Sequence, residues 1–502
     1  MKPILFLVAL LASTVMSAAD PATAPRINGP AVFGVRPGHP LLYTIPATGT
    51  RPLEFSVEGL PAGLSLDART GILRGTLPAR GDYPVVLQAR NAAGTATKKF
   101  LIKCGDEISL TPAMGWNSWN CFGATVDHDK VIRAAKTMVA SGLVEHGWTY
   151  INIDDGWQGR RAGPDHALAS NEKFPDMQKF SDEVHAMGLK LGVYSTPWVI
   201  SYAGHTGGGS DAADGAPFTG KKPEEGQRHG QYDFIAVDAR QWARWGVDYL
   251  KYDWAPLDVA HAGRAYEALR ASGRDIILSL SNSASLALAG EWPKVANSWR
   301  TTNDIGDRWQ YATGDAETWR YGVSEIGFSQ DAWAGAAGPG HWNDADMLVV
   351  GRVGWGDTLR ATHLTPDEQY SHITLWCMLN SPLLLGCDLE QLDAFTLSLL
   401  TNDEVLALNQ DELGRQAVRI ATVGAIDVYR KPLADGSAAL GFFNRAGTGE
   451  KFLFNKLGRL GFDGPQHVRD LWRQQDLPDC NGELAGTVPG HGVLLLRLAP
   501  AR

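Results

Sequence analysis

The middle of the chain alternates short apolar runs with longer helical stretches, and this alternation constrains the fold more than any other feature. Stretches such as KVIRAAKTMVASGL and FIAVDARQWARWG carry apolar residues at helical spacing. Eight strand-plus-helix repeats between residues 107 and 405 favour a closed (β/α)8 barrel over an open sheet. The eight apolar runs are MGWNSW (114–119), YINID (150–154), KLGVYS (190–195), DYLKYD (248–253), DIILSLS (275–281), NSWRTT (297–302), HWNDADMLVV (341–350) and SPLLLGCD (381–388).

The segments before and after this region have sequence patterns typical of β-strands. Residues 24–104 contain short alternating stretches such as DYPVVLQAR and TATKKFLIK, separated by Gly and Pro turns, which is typical of a β-sandwich. IDVYRKPL and HGVLLLRL show the same alternation after residue 410. We therefore predict a multidomain chain: a β-sandwich over 20–106, the barrel over 107–405, and a C-terminal antiparallel β-sandwich over 406–502.

The first 19 residues have the pattern of a secretion signal. Lys2 supplies the positive charge, residues 4–15 are apolar, and Ser17, Ala18 and Ala19 form a small-residue cleavage site. The apolar run is too short for a membrane anchor, which needs about 18 to 20 residues. We expect an exported protein without a membrane span, and the choice between periplasm and exterior stays open.

Composition narrows the class of partner. A net charge of −9 disfavours nucleic acid and anionic membrane surfaces. The 17 tryptophans hint at carbohydrate, because indole rings stack on sugar faces, although most tryptophans belong to protein cores.

Polar side chains gather where the predicted barrel strands end, which is where barrel active sites form. Such a set suits either a glycosidase, which needs two carboxyl groups, or a metal-dependent enzyme, which needs several acids around a cation. The nearby tryptophans favour the sugar, and no histidine accompanies the acids at a ligand-like spacing. The polar set is Trp119, Asp154, Asp155, Tyr194, Lys251, Asp253, Arg300, Asp304, Asp344 and Asp346, and the tryptophans are Trp116, Trp119, Trp157, Trp198 and Trp254.

The sequence LKYDW places Lys251 and Asp253 on one face of a strand, because alternate strand residues point the same way. A lysine beside a carboxylate favours its ionised form, which a carboxylate nucleophile requires. A purely structural ion pair between these two residues is the alternative.

Six motifs in order, PAMGWNSWN, YINIDDGW, LGVYS, LKYD, NSWRTTNDI and WNDADMLVVG, give the chain a specific resemblance. Over roughly residues 108–500 it resembles glycoside hydrolase family 27, the retaining α-galactosidases and α-N-acetylgalactosaminidases. Residues before 106 resemble the immunoglobulin-like domains appended to bacterial glycosidases. Whether that module is structural or contacts carbohydrate stays open.

The resemblance implies catalytic roles for two carboxyl groups and binding roles for eight more residues. Asp253 of LKYD matches the nucleophile and Asp304 matches the acid/base, so Asp304 should carry a proton when substrate binds. Ser281 lies in SLSNSAS, where many relatives have Cys-Glu-Trp, and these small residues should leave room at C2 of the sugar. The other implied contacts are Lys251 and Arg300 to sugar hydroxyls, Asp154 and Asp155 to the 4-OH and 6-OH, Trp119 and Tyr194 at the pocket wall, and Met347 at its floor.

The sequence thus predicts an exported retaining α-galactosidase that acts on α-galactosyl carbohydrate and needs neither a metal ion nor an organic cofactor. α-N-Acetylgalactosaminidase, β-L-arabinopyranosidase and isomalto-dextranase activities stay open within the family. A non-catalytic sugar-binding protein is the alternative of a different class. We expect the glycine-rich GHTGGGSD (204–211) to be a mobile loop at the pocket mouth. Linkage, substrate length and oligomeric state do not follow from the sequence.

Overall fold

The computed structural model describes residues 23–312 and 319–501. The predicted signal peptide, residues 1–19, lies outside the described residues. Three bodies follow one another along the chain, each with its own hydrophobic core.

The N-terminal module is a β-sandwich, and its immunoglobulin-like fold is confirmed. One sheet has the strand order β2-β9-β8-β5 and the other has β3-β7-β6, while β1 pairs with β4. Apolar residues that alternate along the strands form the core between the sheets. Its strands are β1 (Arg26–Ile27), β2 (Val32–Val35), β3 (Pro40–Thr44), β4 (Ala47–Thr48), β5 (Glu54–Glu58), β6 (Leu64–Leu66), β7 (Ile72–Thr76), β8 (Gly81–Asn91) and β9 (Gly94–Cys104).

The central body is the predicted barrel, and each of the eight apolar runs contributes one strand. All pairings within the eight-stranded sheet are parallel, and strands that follow one another in the chain are neighbours. The last strand pairs with the first, and Leu348 bridges in parallel to Leu385, which closes the ring. The strands are β10 (Met114–Asn117), β11 (Tyr150–Asn152), β14 (Lys190–Ser195), β17 (Tyr249–Asp253), β18 (Ile277–Ser281), β19 (Ser298–Arg300), β20 (Trp342–Asp344) and β23 (Leu383–Leu385).

Short antiparallel pairs decorate the loops after the barrel strands. In the chain, each pair lies between two consecutive strands of the barrel. They are β12 (Gln158–Ala162) with β13 (Ala167–Ser170), β15 (Gly209–Ser210) with β16 (Tyr232–Asp233), and β21 (Arg352–Val353) with β22 (Arg360–Ala361).

Helices surround the barrel, and local capping explains where several of them begin. The Asp127 and Asp258 side chains accept backbone N–H groups at the first turns of α2 and α5, and Thr365 and Glu368 form a capping box on α8. No helix in the described residues is long and apolar enough to cross a bilayer. The helices are α1 (Trp119–Phe122), α2 (His128–Ala140), α3 (Met177–Ala186), α4 (Ile235–Trp245), α5 (Val259–Arg270), α6 (Trp292–Val295), α7 (Val323–Gly327), α8 (Pro366–Met378), α9 (Ala394–Leu400) and α10 (Asp403–Asn409).

The C-terminal body is an antiparallel β-sandwich, as predicted. A six-stranded sheet with the order β24-β25-β26-β31-β28-β29 faces the pair β27-β30 across a core rich in phenylalanine and leucine. Helix α10 runs across the predicted boundary at residue 405, so helical structure continues to Asn409. The strands are β24 (Val418–Val423), β25 (Ile426–Pro432), β26 (Ala438–Asn444), β27 (Glu450–Phe454), β28 (Pro465–Asp470), β29 (Gln475–Asn481), β30 (Leu484–Val488) and β31 (Val493–Pro500).

The N-terminal module packs against the barrel end where the strands begin. Arg36 donates from its Nε to Asp275 Oδ1 at 2.6 Å and from its guanidinium to the carbonyls of Arg270 and Arg274. Asp275 lies two residues before β18, and Thr44 donates to the carbonyl of Gly188 just before β14. Active sites of barrels form at the other end, so this module is placed to support the barrel rather than to line its site.

We predict that Arg36→Ala lowers the free energy of unfolding by about 2 kcal/mol, because two carbonyl groups lose their donor and the Asp275 carboxylate loses its guanidinium, keeping only His39 and the backbone N–H of residue 36. Urea unfolding followed by tryptophan fluorescence measures this. Arg51→Ala is the matched control: its pair with Glu145 crosses the same contact but is 47% and 26% exposed, so we expect a loss of less than about 1 kcal/mol. Equal losses in the two variants would contradict the assigned importance of Arg36.

Candidate active site

A cavity of about 450 Å³ opens at the carboxyl ends of the barrel strands, a size suited to a small ligand. Nine of the ten predicted site residues line it. They are Trp119, Asp154, Asp155, Tyr194, Lys251, Asp253, Arg300, Asp304 and Met347. The remaining lining residues are Asn120, Tyr202, Asn282, Asn303, Ile305, Trp319, Asp346 and Trp355.

Lys251 and Asp253 both reach the cavity from β17, as the strand alternation predicts. The ion pair of Lys251, however, is with Asp154, which follows β11 on the far side of β14, at 2.8 Å from Nζ to Oδ2. The alternative of a purely structural Lys251–Asp253 ion pair is therefore wrong, because the long lysine side chain reaches across the barrel mouth to Asp154. Burial alone would lower the pKa of Lys251, but the charges of Asp154 and Asp253 outweigh it and raise that pKa.

The two carboxylates of the IDD motif are buried and firmly held. Asn117 Nδ2 donates to Asp154 Oδ2 at 2.8 Å, on the same oxygen that Lys251 contacts. Asp155 accepts from Gln158 Nε2 at 3.0 Å and from the backbone N–H of Ala203 at 2.8 Å. Burial raises the pKa of Asp155 despite these donors.

Asp253 has a hydrogen-bond donor on each carboxylate oxygen. Tyr194 OH donates to Oδ2 at 2.9 Å, and Asn282 Nδ2 donates to Oδ1. Burial raises the pKa of Asp253 to about 7; the Lys251 charge opposes this rise and the Asp304 charge adds to it. Burial and the Asp253 charge raise the pKa of Tyr194 well above its usual value, so its hydroxyl stays a donor.

Asp304 forms an ion pair with Arg300, at 2.7 Å between Oδ1 and Nη2. Burial would raise the pKa of Asp304, but the charge and hydrogen bond of Arg300 outweigh it and lower that pKa. The order of these two pKa values is therefore opposite to the expectation of a charged Asp253 and a protonated Asp304. The physical reasons are the deep burial of Asp253 and the guanidinium held against Asp304.

Asp346 holds both Arg300 and the loop that carries Asp304. Its Oδ2 lies 3.3 Å from Arg300 Nη2 and accepts the backbone N–H of Ile305 at 2.7 Å, next to Asp304. Its Oδ1 accepts the backbone N–H of Met347 at 2.8 Å. One carboxylate thus orients the arginine, the loop that carries Asp304 and the apolar floor residue.

Ser281 is the predicted site residue that does not line the cavity. It borders a narrow space of about 20 Å³ on the other side of Arg300, whose Nη1 donates to Ser281 Oγ at 3.3 Å. Its neighbour Asn282 lines the cavity instead, and Asp344 borders the same lower space as Ser281.

Most of the tryptophans expected at the rim are core residues. Trp116, Trp157 and Trp254 are fully buried, and Trp198 is 6% exposed. Only Trp119 of the five lines the cavity, together with three aromatic residues that no strand-end motif indicates: Tyr202, Trp319 and Trp355. A tryptophan beside a strand-end acid is thus weak evidence for a pocket residue, since the sequence does not reveal which side chains face the pocket.

Backbone hydrogen bonds connect the GHTGGGSD stretch to residues 196–199, which follow β14. The backbone N–H groups of Gly207, Gly208 and Gly209 donate to the carbonyls of Val199, Thr196 and Trp198 at 2.9, 2.7 and 3.0 Å. A Cβ on Gly207 would lie 2.1 Å from the Trp198 oxygen, so glycine permits this close return. The return brings Tyr202 into the cavity wall and Ala203 N–H to Asp155.

Among the described residues, one group outside the cavity has ligand types that suit a metal ion. The ligand atoms of His229, Asp258 and His261 lie within 4.8 Å of one another. Asp258 already accepts from His261 backbone N–H and from Trp254 Nε1, and the two imidazoles stack face to face at 3.5 Å. These contacts suit a helix cap with a packed histidine pair better than converging ligands.

Comparison with known proteins identifies the class. Residues 111–216 and 219–411 match the family described as "Alpha galactosidase A", residues 423–498 match "Alpha galactosidase C-terminal beta sandwich domain", and residues 24–105 match an Ig domain family. The barrel, its cavity and these matches define a glycoside hydrolase. The chain belongs to the α-galactosidase family, glycoside hydrolase family 27.

Individual relatives agree with this assignment. Alpha-galactosidase A of Cellvibrio japonicus is 36% identical over 79% of this chain and 93% of its own length, and Alpha-galactosidase 2 of Arabidopsis thaliana is 34% identical over 78% and 90%. A Bacteroides fragilis structure described as a candidate α-galactosidase superposes with a TM-score of 0.85 at 34% identity, covering 96% of this chain and 98% of that one. A Geobacillus stearothermophilus β-L-arabinopyranosidase superposes with a TM-score of 0.65 at 29% identity, covering 78% and 97%.

Proposed function

We propose that this glycoside hydrolase is an exported retaining α-galactosidase that removes terminal α-galactosyl residues by double displacement. The observation that carries the proposal is that Asp253, Asp304 and the Lys251–Asp154 ion pair all line one cavity. Two carboxyl groups are what hydrolysis with retention requires, and the charged pair offers partners for sugar hydroxyls. The relatives' names support galactose as the sugar.

In the first step the Asp253 carboxylate attacks the anomeric carbon while Asp304 gives its proton to the departing glycosidic oxygen. The carbon–oxygen bond to the leaving group breaks, and a covalent galactosyl ester forms on Asp253. In the second step Asp304 takes a proton from water, which attacks the same carbon and releases Asp253. Two inversions return the α configuration.

This sequence requires one proton to lie on Asp304 when substrate is bound. Asp304 is 45% exposed, and a sugar that covers it would raise its pKa by removing water. Ionisation of Asp253 favours protonation of Asp304 in return, because the two carboxyl groups are electrostatically coupled. Substrate hydroxyls that draw the Arg300 guanidinium away act in the same direction.

Azide rescue distinguishes the two carboxyl groups. Asp253→Ala should lose nearly all activity on an aryl α-galactoside, and azide should restore turnover with β-galactosyl azide as product, because the anion takes the place of the missing nucleophile. Asp304→Ala should instead give α-galactosyl azide, because azide attacks the intact galactosyl ester.

The products are identified by the anomeric coupling in proton NMR. Asp344→Ala, from a strand-end acid outside the cavity, serves as the comparison and should give no azide product. α-Azide from Asp253→Ala, or β-azide from Asp304→Ala, would refute the assignment of roles.

Specificity is tested with aryl α-galactoside, α-N-acetylgalactosaminide, β-L-arabinopyranoside and isomaltosyl substrates. We expect the α-galactoside to have a kcat/KM at least about tenfold above that of the arabinopyranoside, because the C6 hydroxyl adds a hydrogen bond to the buried carboxylates. Asp154→Glu extends its side chain by one methylene and should lower the galactoside rate more than the arabinopyranoside rate. A preference for any other sugar in the wild-type panel would overturn the galactosidase proposal.

Export is tested by expressing the full chain with its first 19 residues in a bacterial host. The protein found outside the cytoplasm should begin near residue 20 by N-terminal sequencing, because the small residues before it suit signal peptidase. A chain without residues 1–19 should stay in the cytoplasm as the control. Retention of the intact full chain in the cytoplasm would show that the segment is not a secretion signal.

A further inference from the structure

Arg300 is shared between two carboxylates, and the double-displacement scheme uses only one of them. Its Nη2 atom lies 2.7 Å from Asp304 Oδ1 and 3.3 Å from Asp346 Oδ2. The same nitrogen also donates to the carbonyl of Thr302 at 3.2 Å. Asp304 is the acid/base of the proposed reaction, whereas Asp346 has no step of its own in it.

Nη2 has fewer protons than there are oxygen atoms around it. Each terminal nitrogen of a guanidinium carries two N–H groups. The three oxygen atoms of Thr302, Asp304 and Asp346 lie within 3.3 Å of Nη2, and its hydrogen bonds go to the first two. Asp346 therefore faces the charge of Arg300 while Asp304 takes the hydrogen bond.

Asp346 is fixed in this position by its backbone and by its carboxylate. Its φ is +74°, a left-handed conformation that Asp and Asn adopt more readily than most residues. Its backbone N–H donates to Asp344 Oδ1 at 2.8 Å, and its carbonyl accepts Trp376 Nε1. Its two carboxylate oxygens accept the backbone N–H groups of Met347 and Ile305. Asp346 is thus a rigid partner for the arginine.

Asp304 is less constrained than Asp346. Its side chain is 45% exposed, whereas those of Arg300 and Asp346 are each 5% exposed. The proton that Asp304 must carry as an acid removes the negative charge that attracts Nη2. A small displacement of the guanidinium then brings Asp346 Oδ2 from 3.3 Å into the usual range of an ionic hydrogen bond, about 2.7–2.9 Å.

We propose that Asp346 is a positioning residue for the acid/base: it takes the Nη2 hydrogen bond of Arg300 when Asp304 is protonated and gives it back when Asp304 ionises. The inference rests on the proposed function and deepens it. In the first step, Arg300 pairs with Asp346, and Asp304 keeps its proton until the proton passes to the departing glycosidic oxygen. Nη2 then pairs with the ionised Asp304. In the second step Asp304 takes a proton from water, and the hydrogen bond returns to Asp346.

The charges around Arg300 support this exchange. Burial would lower the pKa of Arg300, but Asp346 and Asp304 outweigh it and raise that pKa, so the guanidinium stays charged in both arrangements. Asp344 also faces Asp346. The other titratable groups that face Asp304 are Lys251, Arg320, Asp253 and Tyr202.

Crystal structures of the wild type and of Asp304→Asn, grown at one pH, test the exchange without a rate measurement. The amide is neutral and has the shape of the carboxyl group, so it imitates the protonated acid. We expect the distance from Nη2 to Asp346 Oδ2 to shorten from 3.3 Å to about 2.9 Å, and the distance from Nη2 to the side chain of residue 304 to exceed 2.7 Å. Unchanged distances would overturn the proposal.

The pH dependence of kcat on phenyl α-galactoside tests the consequence for catalysis. Asp304 acts as an acid, so kcat falls as the pH rises through its pKa in the substrate complex. In Asp346→Asn the guanidinium has lost its second carboxylate and stays with Asp304. The pKa of Asp304 is then lower, and the fall should begin about one pH unit lower. A fall at the wild-type pH would refute the role of Asp346.

Asp344→Asn is the matched control for this shift. It removes a second buried carboxylate two residues away, which has no described contact with Nη2, and its amide oxygen can still accept the N–H of Asp346. We expect less than half of the shift found in Asp346→Asn. An equal shift in the two variants would show that negative charge near the arginine matters and that the contact with Nη2 does not.

A double variant separates exchange through Arg300 from direct repulsion between the two carboxylates. If Asp346 acts through Arg300, Asp346→Asn should move the fall in kcat in the wild type but not in an Arg300→Gln background. The same shift in both backgrounds would mean direct repulsion and would overturn the exchange.

Two leaving groups separate the proposed role of Asp346 from a merely structural one. In Asp346→Asn, kcat should fall at least about tenfold more on phenyl α-galactoside than on 2,4-dinitrophenyl α-galactoside, because only the poorer leaving group needs the proton. Equal losses on both substrates would indicate a structural role and refute the proposal. A wild type that hydrolyses neither substrate would instead overturn the proposed function, and the Asp304→Asn crystal structure would still decide the exchange.

Discussion

The closed parallel sheet is the constraint on which the rest of the molecule depends. Parallel strands put all their carboxyl ends on one rim, so residues that are far apart in the chain become neighbours around a single opening. Asp154 ends one strand segment and Lys251 lies near the end of another, 97 residues later, yet their charged atoms are 2.8 Å apart. The N-terminal module and its buried Arg36 lie at the opposite end, where they can stabilise the barrel without occupying this rim.

The rim carries an excess of buried acid, and this excess defines its chemistry. Lys251 and Arg300 are the cations in the cavity lining of the described residues, and they face five aspartates. Each cation is committed: Lys251 to Asp154, and Arg300 to Asp304 and Asp346. Asp253 keeps no direct cation contact, so burial raises its pKa to about 7 and the nucleophile depends on the neutral donors Tyr194 and Asn282. These donors favour the ionised form of Asp253 without an ion pair, whereas burial opposes it.

Much of this was predictable from local patterns, and the exceptions share a cause. The eight strands, α2 and α4 follow from short apolar runs and helical spacing, and nine site residues follow from ordered motifs at strand ends. The pairing of Lys251 and the buried state of Trp116, Trp157 and Trp254 did not follow. Strand alternation tells which residues share a face, but it does not tell how far a long side chain reaches or which indole packs beneath a helix. Tyr202 carried no periodic pattern, because an irregular, glycine-dependent return brings it to the cavity.

The sequence by itself determined the order of domains, the barrel and the family, because periodicity and ordered motifs are properties of neighbouring residues along the chain. Tertiary structure alone decided which charges touch and therefore which carboxyl groups hold protons. The pKa of Asp253 depends on burial and on Lys251, Asp304, Tyr194 and Asp154, which come from four separate stretches of sequence. Likewise, Asn282 is an ordinary polar residue in SLSNSAS until the turn after β18 brings its amide to the nucleophile. Electrostatic coupling falls off with distance in space rather than along the chain, so only the folded barrel could set it.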